Sequence, residues 1–150
     1  MKDNNIEFKK LTSDDASSFV ELVKETLGMT LEEEKISNMI KNARLIGIGA
    51  FKDAILKATL TTDPFKPNEW DEEFLTFSAY IWKPAMLPEI SSQTLEEQLT
   101  SKLIEAIPRA EVLVITAKVP LNETERREMF KRLGFEEDRE DKEKLVFIWV

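Results

Sequence analysis

The run "EVLVITAKV", Glu111–Val119, constrains the fold more than any other stretch of the chain. Its apolar residues are continuous and rich in β-branched side chains, the pattern of a buried strand rather than a half-exposed one. Such a strand needs helices to cover it, and the sequence places one on either side. Before it, Leu95, Leu99, Leu103 and Ile107 recur at helical spacing and end at Pro108. After it, "ETERREMFKRL" follows caps at Asn122 and Glu125 and closes at Gly134. Strands linked through crossover helices point to a mixed α/β sheet with helices on both faces.

The remaining segments fill out that order. Ile6–Leu11 alternates and reads as a first strand. Thr12 or Ser13 then caps a helix with Ala16, Phe19, Val20, Val23 and Leu27 on one face, stopped by Gly28. Thr30 and Glu33 make a T-x-x-E capping box for a second helix, whose apolar side is Leu31, Ile36, Met39 and Ile40. Arg44–Phe51 and Ala54–Thr61 read as a hairpin joined at Lys52–Asp53, and "TDPFKPNEWDE" as a polar loop. "EFLTFSAYIWKP" is a long strand, and "GFEEDRED" with "KEKLVFIWV" a closing hairpin. The expectation is one domain over residues 1–150 in the order β-α-α-β-β-β-α-β-α-β-β. Gly47 and Gly49 form a G-x-G inside a strand pattern with no helix after it. Close packing on one sheet face explains them better than a dinucleotide loop.

Composition narrows the chemistry. There is no cysteine and no histidine, which excludes disulfides, zinc–thiolate sites, cysteine nucleophiles and Ser–His–Asp arrangements. Proton transfer is left to Asp, Glu, Lys, Tyr or water, and no metal site is expected. A net charge of −8 and a pI near 4.8 disfavour nucleic acid and favour cationic partners such as amines, although the same charge also serves solubility. No apolar run is long enough to span a bilayer, and "MKDNNIEFKK" holds no signal-peptide core. A cytoplasmic location without a membrane partner is therefore expected.

The stretch "LPEISSQTLEEQL", Leu87–Leu99, runs from a strand into a helix start, where orphan backbone N–H groups often hold phosphate. Phosphate loops carry glycine there, and this one has none. Two readings stand. Thr94 and Glu97 can form a capping box, with Glu96 and Glu97 complementing the helix dipole, so that the end is satisfied from within. Alternatively, the N–H groups and hydroxyls of Ser91 and Ser92 hold a ligand.

The element order, with "YIWKP" (Tyr80–Pro84) and "MFKRLGFEE" (Met129–Glu137), resembles the GCN5-related N-acetyltransferase family along the whole chain. The resemblance implies that the "YIWKP" and "EVLVITAKV" strands are parallel neighbours that splay apart near Trp82 and Thr116–Lys118. It implies that acetyl-coenzyme A lies in the resulting wedge, held by Ile81, Trp82 and Lys83 on the strand and by Ser91, Ser92 and Gln93 at the helix start. The family's pyrophosphate loop, Arg/Gln-x-x-Gly-x-Gly/Ala, falls on Leu87–Ser92, and every signature position differs. Leu87 stands where a basic or amide side chain belongs, and Ile90 and Ser92 where small residues belong. Glu89 adds repulsion and Pro88 has no N–H to donate. In the family's loop conformation these changes cost roughly 3–5 kcal/mol of coenzyme binding.

The tyrosine that many family members carry on the last helix is Phe130 here. The resemblance leaves Glu73 as the candidate base and Tyr80, the only tyrosine, as the candidate acid. Glu73 also reads as a solvated strand entry, and Tyr80 as core. The aromatics Phe65, Trp70, Phe74, Phe77, Tyr80 and Trp82 read either as an acceptor pocket or as one core layer. The leading expectation is an acyl-coenzyme A-dependent N-acetyltransferase acting on a small-molecule or peptide amine, with a degraded coenzyme site. The alternatives are a non-catalytic binding module that has lost the coenzyme, and a self-associating structural protein, a possible homodimer paired through Leu145–Val150.

Overall fold

A computed structural model describes residues 5–71, 76–108 and 112–149. The chain runs through β1 (Ile6–Lys10), a turn of 3-10 helix at Ser13–Asp15, α1 (Ala16–Leu27), α2 (Glu33–Lys41), β2 (Gly47–Lys52) and β3 (Ile55–Thr61). It continues through β4 (Glu69–Asp71), β5 (Thr76–Ile81), β6 (Ala85–Met86), α3 (Gln93–Ala106) and β7 (Val112–Lys118). It ends with α4 (Thr124–Arg132), β8 (Glu136–Glu137) and β9 (Lys144–Trp149). One sheet has the order β1-β2-β3-β6 and the other β4-β5-β7-β9-β8. All pairs are antiparallel except β5 and β7, which run parallel from Thr76↔Val112 to Ile81↔Ala117. That is the parallel pair the sequence leads one to expect.

The two sheets join where Ile81 bridges Thr62 and the Trp82 N–H donates to the Thr61 carbonyl at 2.9 Å. Ile81 stands opposite Thr62 but Ala85 opposite Thr59, so this side of the pair carries one extra residue between the two. The bulge contains Pro84, whose missing N–H cannot continue a ladder. Past it, the chain follows β3 and leaves β7.

Two cores result. One holds Ile46, Ile48, Leu60, Leu99, Leu103, Leu113, Ile115, Met129 and Phe130, beneath α3 and α4. The other holds Leu11, Phe19, Val23, Leu45, Phe51 and Trp82, with α1 packed on β3 and β6. Helices thus cover both faces of the molecule, but not both faces of β7. Leu113, Ile115 and Ala117 are buried, while Val114 and Thr116 are half-buried, because α1 and α2 cover the other sheet. Gly47 and Gly49 serve close packing. A Cβ at Gly47 would lie 2.5 Å from Thr61 Cγ2, and one at Gly49 2.7 Å from Leu56 Cδ1.

Local details differ from expectation. The β2–β3 turn lies at Asp53–Ala54, with φ of 53° and 65°, a left-handed two-residue turn made without glycine. α2 starts after Glu32 with no side-chain cap, since Leu31 is buried and carries the chain inward before the helix begins. Thr30 therefore caps nothing. α4 starts after Glu123, also without a side-chain cap, rather than from Asn122. Gly28 closes α1 at φ 69°, as expected. The short strand β4 lies within the stretch read as a polar loop, and β6 in one that was given no element.

At the far end of the molecule, Arg127 on α4 is 7% exposed. Its Nη1 donates to the Val119 carbonyl at 3.0 Å and its Nη2 to the Lys142 carbonyl at 2.8 Å, and it also pairs with Glu137. Among the described residues no helix is long and apolar enough to cross a membrane.

Candidate functional site

The parting of β5 and β7 makes the site. Their last pair is Ile81↔Ala117. Beyond it, Trp82 is claimed by β3, while Lys118 pairs with Lys144 of β9. The expected splay near Trp82 and Thr116–Lys118 is present. The recess between the parted strands is lined by Ile81, Trp82, Lys83, Ala117, Lys118, Arg126 and Phe130 and measures about 40 Å³. Small-molecule pockets typically offer roughly 300–1,000 Å³.

Three of the six sequence-derived coenzyme residues, Ile81, Trp82 and Lys83, line this recess. Trp82 contributes to the lining, but its side chain packs in the core beneath α1 and α2, with the exposed Phe65 ring edge-on at 6.1 Å. Ser91, Ser92 and Gln93 sit apart from the recess, at the start of α3. There the chain makes a tight turn, with Ile90 N–H donating to Leu87 O at 3.1 Å and Ser91 N–H to Pro88 O at 3.4 Å. The Ile90 and Ser91 amides are thus consumed inside the turn. Ser92 is then extended, and its Oγ accepts from the Leu95 N–H at 3.0 Å.

The Leu95 N–H at the helix start is thus capped from within, but by a different residue. Ser92 is the cap, because the turn before it makes Ser92 the last non-helical residue; Thr94 already lies in the first turn. Glu97, the other half of the expected capping box, reaches Arg132 at 2.5 Å instead. Gln93 Nε2 donates to the Glu125 carbonyl of α4 at 3.0 Å.

The pairing that organises the site was not read from the sequence, which offered Glu96 only as a complement to the helix dipole and did not single out Arg126. Glu96, in the first turn of α3, is 5% exposed, and its Oε2 accepts from Arg126 Nε at 2.8 Å. Arg126 Nη1 donates to Glu123 at 3.3 Å, and the guanidinium carbon lies 5.8 Å from the Phe130 ring centroid. Three links, Gln93–Glu125, Glu96–Arg126 and Glu97–Arg132, therefore strap α4 across the start of α3. One signal was available. Glu96 shares helical register with Thr100, Leu103 and Ile107, all buried, and a glutamate in such a register needs a buried partner.

Tyr80 is half-buried on β5 with Lys66 Nζ 4.9 Å from its ring centroid, and it does not line the recess. Glu73 lies outside the described residues, as does Phe74. Phe130 does line the recess but has no proton to give. Among the described residues no carboxylate or hydroxyl lines it; the charged groups that do are Lys83, Lys118 and Arg126. Among the described residues the other aromatics do not form one pocket or one core layer. Phe65 and Trp70 are 60% and 42% exposed, Phe77 is half-buried and Trp82 is buried. Among the described residues no group of three or more Asp or Glu could hold a metal ion.

No family model and no curated protein matches this sequence. Solved structures do match the fold. An acetyltransferase of the GNAT family from Streptococcus pneumoniae superposes with a TM-score of 0.64 at 13% identity, covering 95% of this chain and 96% of that one. The PaiA N-acetyltransferase from Thermoplasma acidophilum in complex with coenzyme A gives 0.60 at 16% identity, covering 95% and 97%. An Arabidopsis thaliana protein in complex with the bisubstrate analogue CoA-Ac-MVNAL gives 0.68 at 12% identity, covering 97% and 99%. At such identities the likeness speaks for architecture. The parallel β5–β7 pair, its parting after Ile81 and Ala117, and these superpositions agree: the chain has the fold of the GCN5-related N-acetyltransferases.

Proposed function

We propose that this chain is a binding protein on the acetyltransferase scaffold and does not carry out acyl transfer. The observation behind this reading is the Glu96–Arg126 pair at 2.8 Å, which joins the first turn of α3 to the lining of the wedge. It sets the protein's own carboxylate at the helix end where a phosphate would be held, and its own guanidinium between the strands. The residues present do not fit acetyl-coenzyme A. The Ile90 and Ser91 amides are turned inward, the side chains of Ser92 and Gln93 are engaged, and Glu89 stands on the loop, paired with Lys57 at 3.6 Å. A ligand that pulled Arg126 away would leave a carboxylate of 5% exposure without its countercharge, a loss of about 3–5 kcal/mol.

A second reading keeps the chain as an acyl-coenzyme A-dependent N-acetyltransferase for a small or cationic amine. The parting of β5 and β7 favours it, because backbone groups beyond Ile81 and Ala117 no longer pair across the wedge. Direct attack by an amine needs positioning more than acid–base help, so the absence of a hydroxyl at Phe130 does not forbid it. Calorimetric titration with acetyl-coenzyme A and desulfo-coenzyme A at low salt separates the two. We expect no binding up to millimolar concentration. Micromolar affinity, with acetyl transfer to any member of an amine panel, overturns the first reading and establishes the second.

A further inference from the structure

The wedge gathers positive charge in a chain whose net charge is −8. Lys83, Lys118 and Arg126 line one recess, and among the described residues no carboxylate lines it. Lys83 and Lys118 are exposed at its rim, and neither has an ion-pair partner among the described residues. Arg126 is fixed differently. Glu96 holds its Nε, Glu123 holds its Nη1, and the Phe130 ring lies beside it. Its Nη2 is left without a partner among the described residues, as is the backbone amide of Lys83. Three cations against the two carboxylates behind the guanidinium leave an excess of positive charge, supplied by three separate segments of the chain.

We propose that this recess is a binding site for a small oxyanion, either free phosphate or the phosphoryl end of a phosphate monoester, held by Lys83, Lys118 and Arg126. The volume of about 40 Å³ sets the size of the ligand. It corresponds to roughly three water molecules, enough for a phosphoryl head and too little for an extended thioester arm. A tetrahedral anion can accept from donors that converge from three directions, whereas a planar carboxylate offers fewer of those directions. The rigid guanidinium supplies geometry and the two lysines supply point charge. Amines, which the overall charge attracts, are repelled at this spot. The inference rests on the reading of the chain as a binding protein and names the class of its ligand.

Thermal unfolding of the full chain tests it, with inorganic phosphate and glycerol 3-phosphate as probes and chloride holding ionic strength constant. A ligand of the native state raises Tm in a saturable manner. Both probes should do so, and the Lys83→Ala/Lys118→Ala double variant should bind at least about tenfold more weakly. These lysines are exposed, so the double variant keeps the fold. Tighter binding of glycerol 3-phosphate supports an esterified ligand, and tighter binding of inorganic phosphate supports the free ion. No saturable response to either probe overturns the proposal, as does a double variant that binds phosphate like the parent. Acetyl-coenzyme A is titrated in a separate arm. Turnover there overturns the binding-protein reading, while the phosphate site is still decided by the double variant.

Discussion

Replacing Arg126 with methionine should expose how much of the fold depends on the pair inside the wedge. The guanidinium's side chain is 21% exposed and the Glu96 side chain 7%, so the arginine is partly hydrated while its partner is nearly dry. Losing the arginine strands the carboxylate, and breaking a buried pair from one side costs about 3–5 kcal/mol. Partial hydration of Arg126 places the expected loss at the lower end, about 3 kcal/mol; the rim contact with Glu123 at 3.3 Å adds only a few tenths more. Replacing both partners, Arg126→Met with Glu96→Leu, removes the stranded charge. The double variant should recover most of the loss, because an apolar pair of similar volume often matches a buried ion pair. Urea denaturation of the parent, the two single variants and the double variant completes the cycle. A coupling energy of about 2 kcal/mol or more is expected. A value below about 0.5 kcal/mol, typical of a surface pair, would refute the view that this contact holds the wedge shut.

Three further outcomes follow from the same geometry. Ser92→Ala should cost about 1 kcal/mol of stability in urea denaturation, and Thr94→Ala only a few tenths, because Ser92 alone caps α3. Gly47→Ala should lower the urea midpoint more than either, since its Cβ would meet Thr61 Cγ2 at 2.5 Å and Leu11 Cδ1 at 2.9 Å inside a packed sheet. Asp138 is held below the ordinary carboxylate range chiefly by the Glu140 N–H, then by Lys144, against an opposing desolvation. A depressed carboxylate stabilises the fold above its unfolded pKa of 3.8, and that contribution is lost as pH falls through the lowered value. Asp138→Asn should remove this acid-limb dependence, and an NMR titration of Asp138 checks the direction of the shift.

The parts of the fold that were legible are those encoded by neighbours in the chain. The run around Val114 makes a strand covered on one face, and Gly28 stops α1. The parallel pair and its parting were expected from the element order together with the family resemblance. What stayed hidden depends on residues that meet only after folding. Glu96 and Arg126 stand 30 positions apart, and neither sequence neighbourhood names the other. The cap of α3 was ambiguous for a different reason. Ser91, Ser92 and Thr94 are all competent acceptors, and the turn at Leu87–Ser91 decides among them by fixing which residue is last to be extended. β4 and β6 are too short to carry a period of their own, and they exist because β5 and β3 offer them partners.

Arg127 has a consequence for how the molecule comes apart. Its guanidinium reaches the end of β7 at Val119, the β8–β9 connection at Lys142, and β8 itself at Glu137. The closing hairpin therefore cannot peel from the sheet edge without tearing those contacts from a nearly buried cation, and the helix that bears the cation cannot lift away alone. Fraying, which ordinarily starts at a chain terminus, is converted here into an opening that must take α4 and the hairpin together. Residues 124–149 are therefore expected to open as one cooperative unit, with Arg127 coupling α4 to the hairpin.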